Sequence, residues 1–547
     1  MAEGGGGSLD ASVRKAVLLL VGLAALAVAA TPVVYDERHI TDTLFLASLG
    51  WRMFLGFAPV ADFPHFYAGV TGSFVAWAFA LVGPTVKALD VALLLQAAAA
   101  LALAGAVAVG RFGGAVFWPL AAAVAACVLA RAPFETQTAL IEVSSARSFL
   151  YNRFAIALGL SVALFALIPA RGRAAEAFGA VAAGAALTVI ALTKPIFAAF
   201  APAVLAALLV QGRWASAAVT AGAAAAALMA LDPWAETFLG AFAYLGEAVQ
   251  SREVGLADAV GKAVRLVMAH PEATLAAAAG FGLAAAGWRV LAAAALALGG
   301  GVAMGVTMGE ITHVGQQAVP FLAVLPLAAW ELARREGAGS APWIKGVALV
   351  LVGAFALPTL ANTIAVSARA MTRGDLVQIE TGPMAGYLGW HRGFRLEGEP
   401  VRGRVPLERL AEAVAERQRA DGDLGIGDAY VMLADGIAAL RGIEGAETAG
   451  IVGDFGLHFD FALGAPPVLG WPVWAAVTSP EIARGDPLPA EADLVLVLRE
   501  TGGLGSGGRK VSEHLRARVA DDFELCRTST LWDIFVRRSS EVPGCGE

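Results

Sequence analysis

Apolar stretches of the length a bilayer demands recur along two thirds of this chain, beginning near Ala16, Phe66, Ala88, Gly114, Tyr151, Ala175, Pro195, Trp214, Glu272, Arg289, Ala318 and Ile344. Crossing the hydrocarbon core takes roughly 17 to 25 residues of helix, and inside it every backbone N–H and C=O has to be satisfied within the segment. A chain with so many such stretches folds as a polytopic α-helical membrane protein, with an expected 11 to 13 transmembrane helices. Composition agrees: 58% of residues are hydrophobic and 16% charged, with a mean hydropathy of +0.68. Ala, Leu, Val and Gly dominate the apolar part, so helices are expected to approach closely through small residues. The net charge of −7 and the lack of a basic stripe interleaved with aromatics exclude a nucleic-acid partner.

The first residues, "MAEGGGGSLDAS", are polar and Gly-rich, so residues 1–14 are expected to form a disordered cytoplasmic tail. Arg14 and Lys15 precede "AVLLLVGLAALAVAATPVV", which has the charges of a signal peptide but a longer apolar core and no convincing cleavage site. It reads as a retained first helix with its amino end inside. Residues 15–370 then form the bundle, with a first external loop at 35–66. Around Arg373 the composition turns polar, and residues 375–547 read as a soluble α/β domain.

Short loops at Arg111, at "RGR" 171–173, at Arg213, at Arg289 and at "ELARREG" 331–337 are basic, whereas the alternate loops 131–150, 232–270 and 309–317 are longer or carry acids. An excess of Lys and Arg marks cytoplasmic loops. The alternation therefore places the long loops and the final domain outside, on the periplasmic face of a bacterial inner membrane. Twelve crossings starting inside would end inside, so one stretch is miscounted. The place for it is between His39 and Arg111, where a span and an interfacial helix look alike, and the expected number becomes 11 or 13.

In the C-terminal domain "LERLAEAVAERQRA" has helical spacing, "ADLVLVLRE" reads as a buried strand, and "FELCRTSTLWDIFVRR" as two strands joined by a polar turn. "GGLGSGGRK" 502–510 invites comparison with a phosphate loop, yet Arg509 and Val511 stand where that motif needs Lys and Ser or Thr, and a flexible loop is expected. Three cysteines are too few for a disulfide framework. Cys127 reads as inert packing. Cys526 and Cys545 could pair only in an oxidising compartment, and the sequence leans towards two free thiols.

The first external loop gathers charge. "VVYDERHITD" 33–42 holds Asp36, Glu37, Arg38, His39 and Asp42 where the first span reaches the far surface. The following "TLFLASLGWRMFLGFAPVADFPHFYAG" suits a helix lying in the membrane interface, with Asp36, Glu37 and Asp42 at one end and Asp62 with His65 at the other. Partly desolvated carboxylates there keep a raised proton affinity and can serve as general bases towards a hydroxyl. The plainer alternative is that they face water.

A first helix, an acidic external loop reading "YDE" with a further "DFPHFYAG", many more spans and an external α/β domain resemble the GT-C glycosyltransferase superfamily. More narrowly, "GWRMFLGFAPVADFPHFYAGVTG", "FLYNR" 149–153, "LTKP" 192–195 and "HVGQQAVPFL" 313–322 are similar to a bacterial subgroup related to it. The resemblance implies inverting transfer of a sugar from a polyprenyl-phosphate donor to an envelope glycan, lipid or protein, with a carboxylate of the first external loop as base. Asp36 or Glu37 matches the "DE" that follows the first helix, and Asp42 is the alternative if the register is shifted. Asp62 and His65 would touch substrate. Asp62 could position the acceptor or join a divalent ion, Mg or Mn, although no spacing demands a metal. A polyprenyl phosphate leaves as an anion and needs cations near it. Candidates are Arg147 and Arg153 flanking "SFLYN", Lys194, and His313, with Glu310, Gln316 and Gln317 beside it between spans. Lys194 marks an anion site or snorkels to headgroups. The long loop 232–270 either covers the donor or is an interfacial connector, the second being favoured. "DFGLHFDFALGAPPVLGWP" 454–472 either stacks sugar or joins domain to membrane, again with the second favoured. A transporter or flippase of an anionic or lipid-linked substrate, and a non-catalytic relative, are the competing readings; the chain has no inverted repeat of the kind many transporters show.

Overall fold

The computed structural model describes residues 6–31, 34–36, 40–65, 69–130, 150–232, 236–250, 314–335, 342–372, 377–379, 382–385, 387–389, 395–396, 399–400, 405–420, 424, 428–454, 456–473, 479–502 and 504–545. The expected class holds: a helical bundle comes first and a mixed α/β region with an open sheet follows. The bundle comprises α1 (Gly6–Ala30), α4 (Ala88–Ala108), α5 (Gly114–Leu129), α6 (Leu150–Leu167), α7 (Arg173–Thr193), α8 (Phe200–Val210), α9 (Trp214–Leu231), α11 (Val314–Arg335) and α12 (Pro342–Thr372). Among the described residues, five segments are long and apolar enough to cross a membrane unaided, at Ala11–Ala30, Ala88–Ala108, Arg173–Thr193, Trp214–Leu231 and Lys345–Ala368. The first helix begins at Gly6, ahead of the expected end of the disordered tail. Once an apolar span has nucleated a helix, adding residues at its end is cheap.

Small residues do set the packing. A Cβ added to Gly184 of α7 would come within 2.4 Å of the Thr220 carbonyl on α9, and Thr188 Oγ1 donates to the Ala224 carbonyl at 2.7 Å across the same contact. On the outside, Leu18, Leu19, Leu23 and Leu26 of α1 and Val347, Val350 and Leu357 of α12 are uncovered. Apolar residues exposed in this way along long helices face lipid in a membrane protein.

The short basic loops gather at one end of the bundle. Arg111, after α4, reaches the Ala175 carbonyl (3.4 Å) and the Glu176 carboxylate (2.7 Å) at the start of α7. Arg213, before α9, bonds the same carboxylate (3.1 Å) and the Ala166 carbonyl near the end of α6 (2.7 Å). Arg335, at the end of α11, donates to Glu331 (3.0 Å), to the Pro169 carbonyl (2.8 Å) and to the Arg111 carbonyl. Four of the five basic loops thus share one face, as their charge predicts; Arg289 lies outside the described residues.

The opposite end carries the α/β domain. Lys87, before α4, donates to the Val28 carbonyl near the end of α1 (2.9 Å) and pairs with Asp90 (2.8 Å), while the Val86 amide donates to Pro383 of the domain (2.9 Å). This settles the miscounted span. The helix α3 (Val70–Val82) follows α2 (Ile40–Phe54), and the chain leaving it returns to Val86 at the same end of the bundle. The described part of the stretch near Phe66, Val70–Val82, therefore stays at the domain end and is the one to take out of the twelve, leaving eleven others to be set against the expected 11 or 13 only together with residues outside the described ones. Nine of these run between the two ends among the described residues; those near Glu272 and Arg289 lie outside them.

Helix α2 is not laid on an interface with one face to lipid, as expected. Ile40 and every residue from Asp42 to Arg52 are buried. The helix is clasped between α3 and the domain, and glycine makes the clasp possible: a Cβ on Gly50 would meet Val75 at 2.2 Å, and one on Gly72 would meet the Met53 sulfur at 2.5 Å. An amphipathic pattern reports an apolar face; it does not say whether lipid or protein covers it.

Two sheets organise the domain. In the first, β1 (Val34–Asp36), from the loop after the first helix, runs parallel to β3 (Tyr387–Gly389), and β2 (Val377–Ile379) is antiparallel to β3. In the second, β6 (Ile451–Gly453) and β7 (Leu494–Leu498) are parallel, and β9 (Trp532–Arg537) and β8 (Phe523–Thr528) complete the order β6-β7-β9-β8. A two-stranded ribbon, β4 (Arg395–Leu396) with β5 (Glu399–Pro400), lies between. β7 is buried throughout, as its unbroken apolar run predicts. "LERLAEAVAERQR" is helical at Leu407–Arg419. The expected flexible loop at 502–510 is instead largely the start of a helix, Gly505–Asp522. Val511, Leu515 and Val519, spaced by four and all buried, hold that helix on the sheet despite the glycines at its start. Cys526 and Cys545 form a disulfide, against the lean towards free thiols. β8 brings Cys526 alongside the chain end, a proximity that residues 19 apart in sequence do not announce.

Candidate functional site

The expected site residues fall at the domain end of the bundle wherever the structure describes them. Asp36 closes β1, in register with Gly389 of β3. Glu37 lies outside the described residues. Asp42 sits in the first turn of α2 and is buried. Arg153 lies in the first turn of α6, buried, and donates to the Ala130 carbonyl just past α5. Since α6 and α7 both place their other ends among the basic loops, Arg153 and Lys194 stand on the side of Asp36 and Asp42. Lys194 directly follows α7, is 3% exposed and holds its ammonium 5.8 Å from the Phe197 ring centroid. It packs into protein and does not snorkel. Gln316 and Gln317 are in the first turn of α11, whose last turn carries Arg334 and Arg335 at the basic end. Arg147, Glu310 and His313 lie outside the described residues.

Two expected substrate contacts have structural work. Asp62 is exposed and closes its own turn: its carboxylate accepts from the Ala58 amide at 2.6 Å, and its amide donates to the Ala58 carbonyl at 2.9 Å. Val60 in this turn has a φ of 71°, a left-handed conformation that is rare for a β-branched residue. Its side chain fills the space over Gly240 of α10 (Glu236–Gln250), where a Cβ would meet Val60 Cγ1 at 2.3 Å. His65 is buried between Phe45 and Phe63, with ring centroids 5.5 and 6.1 Å away. Burial, and next the Arg52 charge, push its pKa down to about 3. It is a neutral imidazole near pH 7, and so not a cation for a phosphate.

The junction is held between the segment 454–472, whose favoured reading was such a join, and Arg52, which was not singled out in the sequence. Arg52 donates to the Trp471 carbonyl (3.1 Å), stands 4.0 Å from Asp460 and lies over Phe63 at 5.1 Å. Burial lowers its pKa to about 10, against the opposing charge of Asp460. Trp51 donates to the Ala465 carbonyl (3.1 Å), and Ser48 reaches Asp460 at 3.5 Å. Phe461 stacks on Phe79 at 5.7 Å and meets Trp51 edge-on at 6.5 Å, while Phe459 meets Trp532 at 5.4 Å. The segment 454–472 is thus the join between domain and bundle, with the rings of Phe459, Phe461 and Trp471 covered by protein. The signal for Arg52 was its place as a lone cation in "FLASLGWRMF"; a charge inside an apolar helix is costly and has a partner.

The described part of the long loop behaves as a connector. Asp232 caps α10 by accepting from the Thr237 (3.1 Å) and Phe238 (2.8 Å) amides. Tyr244 donates to Glu481 (2.8 Å), and Arg484 pairs with Glu247 (3.1 Å), so α10 docks on the domain. No group of three or more His, Cys, Asp or Glu able to hold a metal occurs among the described residues. What the arrangement offers is a set of acids, Asp36 and Asp42, and cations, Arg153 and Lys194, at one end of a membrane bundle beneath an extramembrane domain. The chain matches no protein-family model, and no curated protein matches it in sequence.

Proposed function

We propose that the protein is a GT-C-type membrane glycosyltransferase that moves a sugar from a polyprenyl-phosphate donor to an envelope acceptor at the periplasmic face. The observation that carries this reading is the strand β1: it draws the acidic loop after the first helix into the sheet of the C-terminal domain, at the end of the bundle where Arg153 and Lys194 also stand. The Cys526–Cys545 disulfide supports an oxidising compartment for that domain, and the basic loops at the far end support a cytoplasmic position for that end.

In this reading a loop carboxylate, Asp36 or Glu37 with Asp42 as the alternative, takes the proton of the acceptor hydroxyl as its oxygen attacks the anomeric carbon. The bond from that carbon to the phosphate oxygen breaks with inversion, and polyprenyl phosphate leaves as an anion. Arg153 and Lys194 supply the positive charge that stabilises the leaving group. The lipid tail adds affinity at about 0.8 kcal/mol per methylene buried.

The test compares envelope glycans and polyprenyl-phosphate sugars in cells with the gene, without it, and with Asp36→Asn, Glu37→Gln or Asp42→Asn. Loss of one sugar from a product, together with accumulated donor, is expected in the deletion and in at least one carboxamide variant that still accumulates in the membrane. Unchanged glycans with altered uptake of a solute would replace transfer by transport.

A further inference from the structure

The basic end holds a feature that sugar transfer does not use. A cleft of about 480 Å³ opens between the starts of α7 and α9, lined by Arg171, Arg173, Glu176, Arg213 and Ser216, with Ala177 and Val219 along its apolar side. The charges are unevenly committed. Arg213 and Ser216 are turned onto Glu176, at 3.1 and 2.6 Å, and Arg111 bonds the same carboxylate. Arg173 is exposed, and Arg171 is 61% exposed with its nearest acid, Glu331, 3.8 Å away. Two guanidinium groups therefore stand at the mouth while the lining carries a single carboxylate. A Cβ on Gly172, between them, would meet nothing within 4 Å, so there is room for a group there.

The surroundings fix the depth and nature of that group. Trp214, the first residue of α9, is 67% exposed beside the cleft, and exposed tryptophans at helix ends sit at the headgroup level of a bilayer. Beyond the mouth the lip becomes apolar, with Phe178, Val181 and Val219 uncovered. A cationic mouth at headgroup depth leading onto an apolar lip fits an amphiphile with an anionic head. A free anion would use only the mouth.

We propose that this cleft binds the phosphate headgroup of an anionic membrane lipid, Arg171 and Arg173 donating charge-assisted hydrogen bonds to the phosphate and an acyl chain lying along Ala177 and Val219. The inference does not rest on the transferase reading. Its test uses the full chain in bilayer discs of phosphatidylcholine with phosphatidylglycerol, followed by mass spectrometry of the lipids that stay bound after extraction. Wild type is expected to retain phosphatidylglycerol about tenfold over phosphatidylcholine, a difference of about 1.4 kcal/mol. The Arg171→Gln, Arg173→Gln double variant should lose that preference with its thermal midpoint unchanged, since both side chains are exposed, and the double Lys variant should keep most of it. Equal retention of the two lipids, or a preference untouched in the Gln variant, overturns the proposal. Inorganic phosphate displacing phosphatidylglycerol at equal concentration overturns the lipid part of it.

Discussion

The two ends of the bundle are closed by different chemistry. At the basic end, arginines from three loops converge on two carboxylates: Glu331, fully buried, takes bonds from Arg334 (2.8 Å) and Arg335 (3.0 Å), and Glu176 takes bonds from Arg111, Arg213 and Ser216. At the domain end the fastening runs through ring stacking and backbone carbonyls, with Arg52 directed at Trp471, Trp51 at Ala465 and Lys87 at Val28. The difference teaches where sequence identity matters. A shared carboxylate fails with one substitution, because the arginines buried beside it, Arg335 at Glu331 and Arg111 and Arg213 at Glu176, then lose their counter-charge. A carbonyl acceptor is present whatever side chain its residue bears.

The sharpest way to break the contrast is Glu331→Gln. Removing one partner of a buried charge pair costs about 3–5 kcal/mol; Arg334 is 44% exposed and turns to water, so the cost here falls at the lower end, about 3 kcal/mol, and comes from Arg335, 17% exposed, whose ties to Pro169 and Arg111 would loosen. The thermal midpoint in detergent should fall more than for any single change at the domain end. A fall no larger than that of Glu176→Gln, whose carboxylate is 20% exposed, would show that the charges at this end are not its fastening.

A smaller effect is expected at the junction. Asp460→Asn removes the only acid recorded beside Arg52 among the described residues, but at 4.0 Å the pair is loose and the guanidinium keeps its bond to the Trp471 carbonyl. The cost should be about 2 kcal/mol, in the range for a buried polar group losing one partner. A double-mutant cycle with Arg52→Met should give a coupling below about 1 kcal/mol. A coupling as large as that between Glu331 and Arg335 would mean that both ends work alike.

Much of this fold was legible because membranes impose hard rules. Span lengths gave the bundle, and Lys and Arg excess gave the shared face of four loops that are far apart in sequence. The helix α3 escaped because a largely apolar helix of thirteen residues reads alike whether it crosses a bilayer or lies against Phe461. β1 escaped because three residues are too few for a strand pattern, and its partner β3 is about 350 positions away. The site was legible at the level of which end of the bundle: Asp36, Asp42, Arg153, Lys194 and Gln316 do share one. One side of the junction, the segment 454–472, was legible as the join, but its partner Arg52 was not, since Arg52 and Asp460 are joined only by the fold, and periodicity cannot distinguish a lipid-facing surface from one covered by another domain.

The last difference between the ends is their response to pH. His458 is buried 3.8 Å from Asp460, and burial, only partly offset by that acid, lowers its pKa from 6.5 to about 4; His65 is lowered further by the same cause. A histidine depressed in the folded state binds fewer protons there than in the unfolded chain between the two values. Folding stability therefore stands in full above about pH 6.5 and declines as pH falls towards the folded value. Between pH 7 and about pH 5.5 each of these groups should cost about 1 kcal/mol, and the loss should concentrate at the domain end, because the arginines of the basic end stay charged throughout. Protease access to residues 456–473 should increase over that interval while access to residues 331–335 stays constant. His458→Gln should flatten the rise. Equal responses at the two ends, or an unaltered rise in the variant, would assign the pH sensitivity to groups other than the buried histidines.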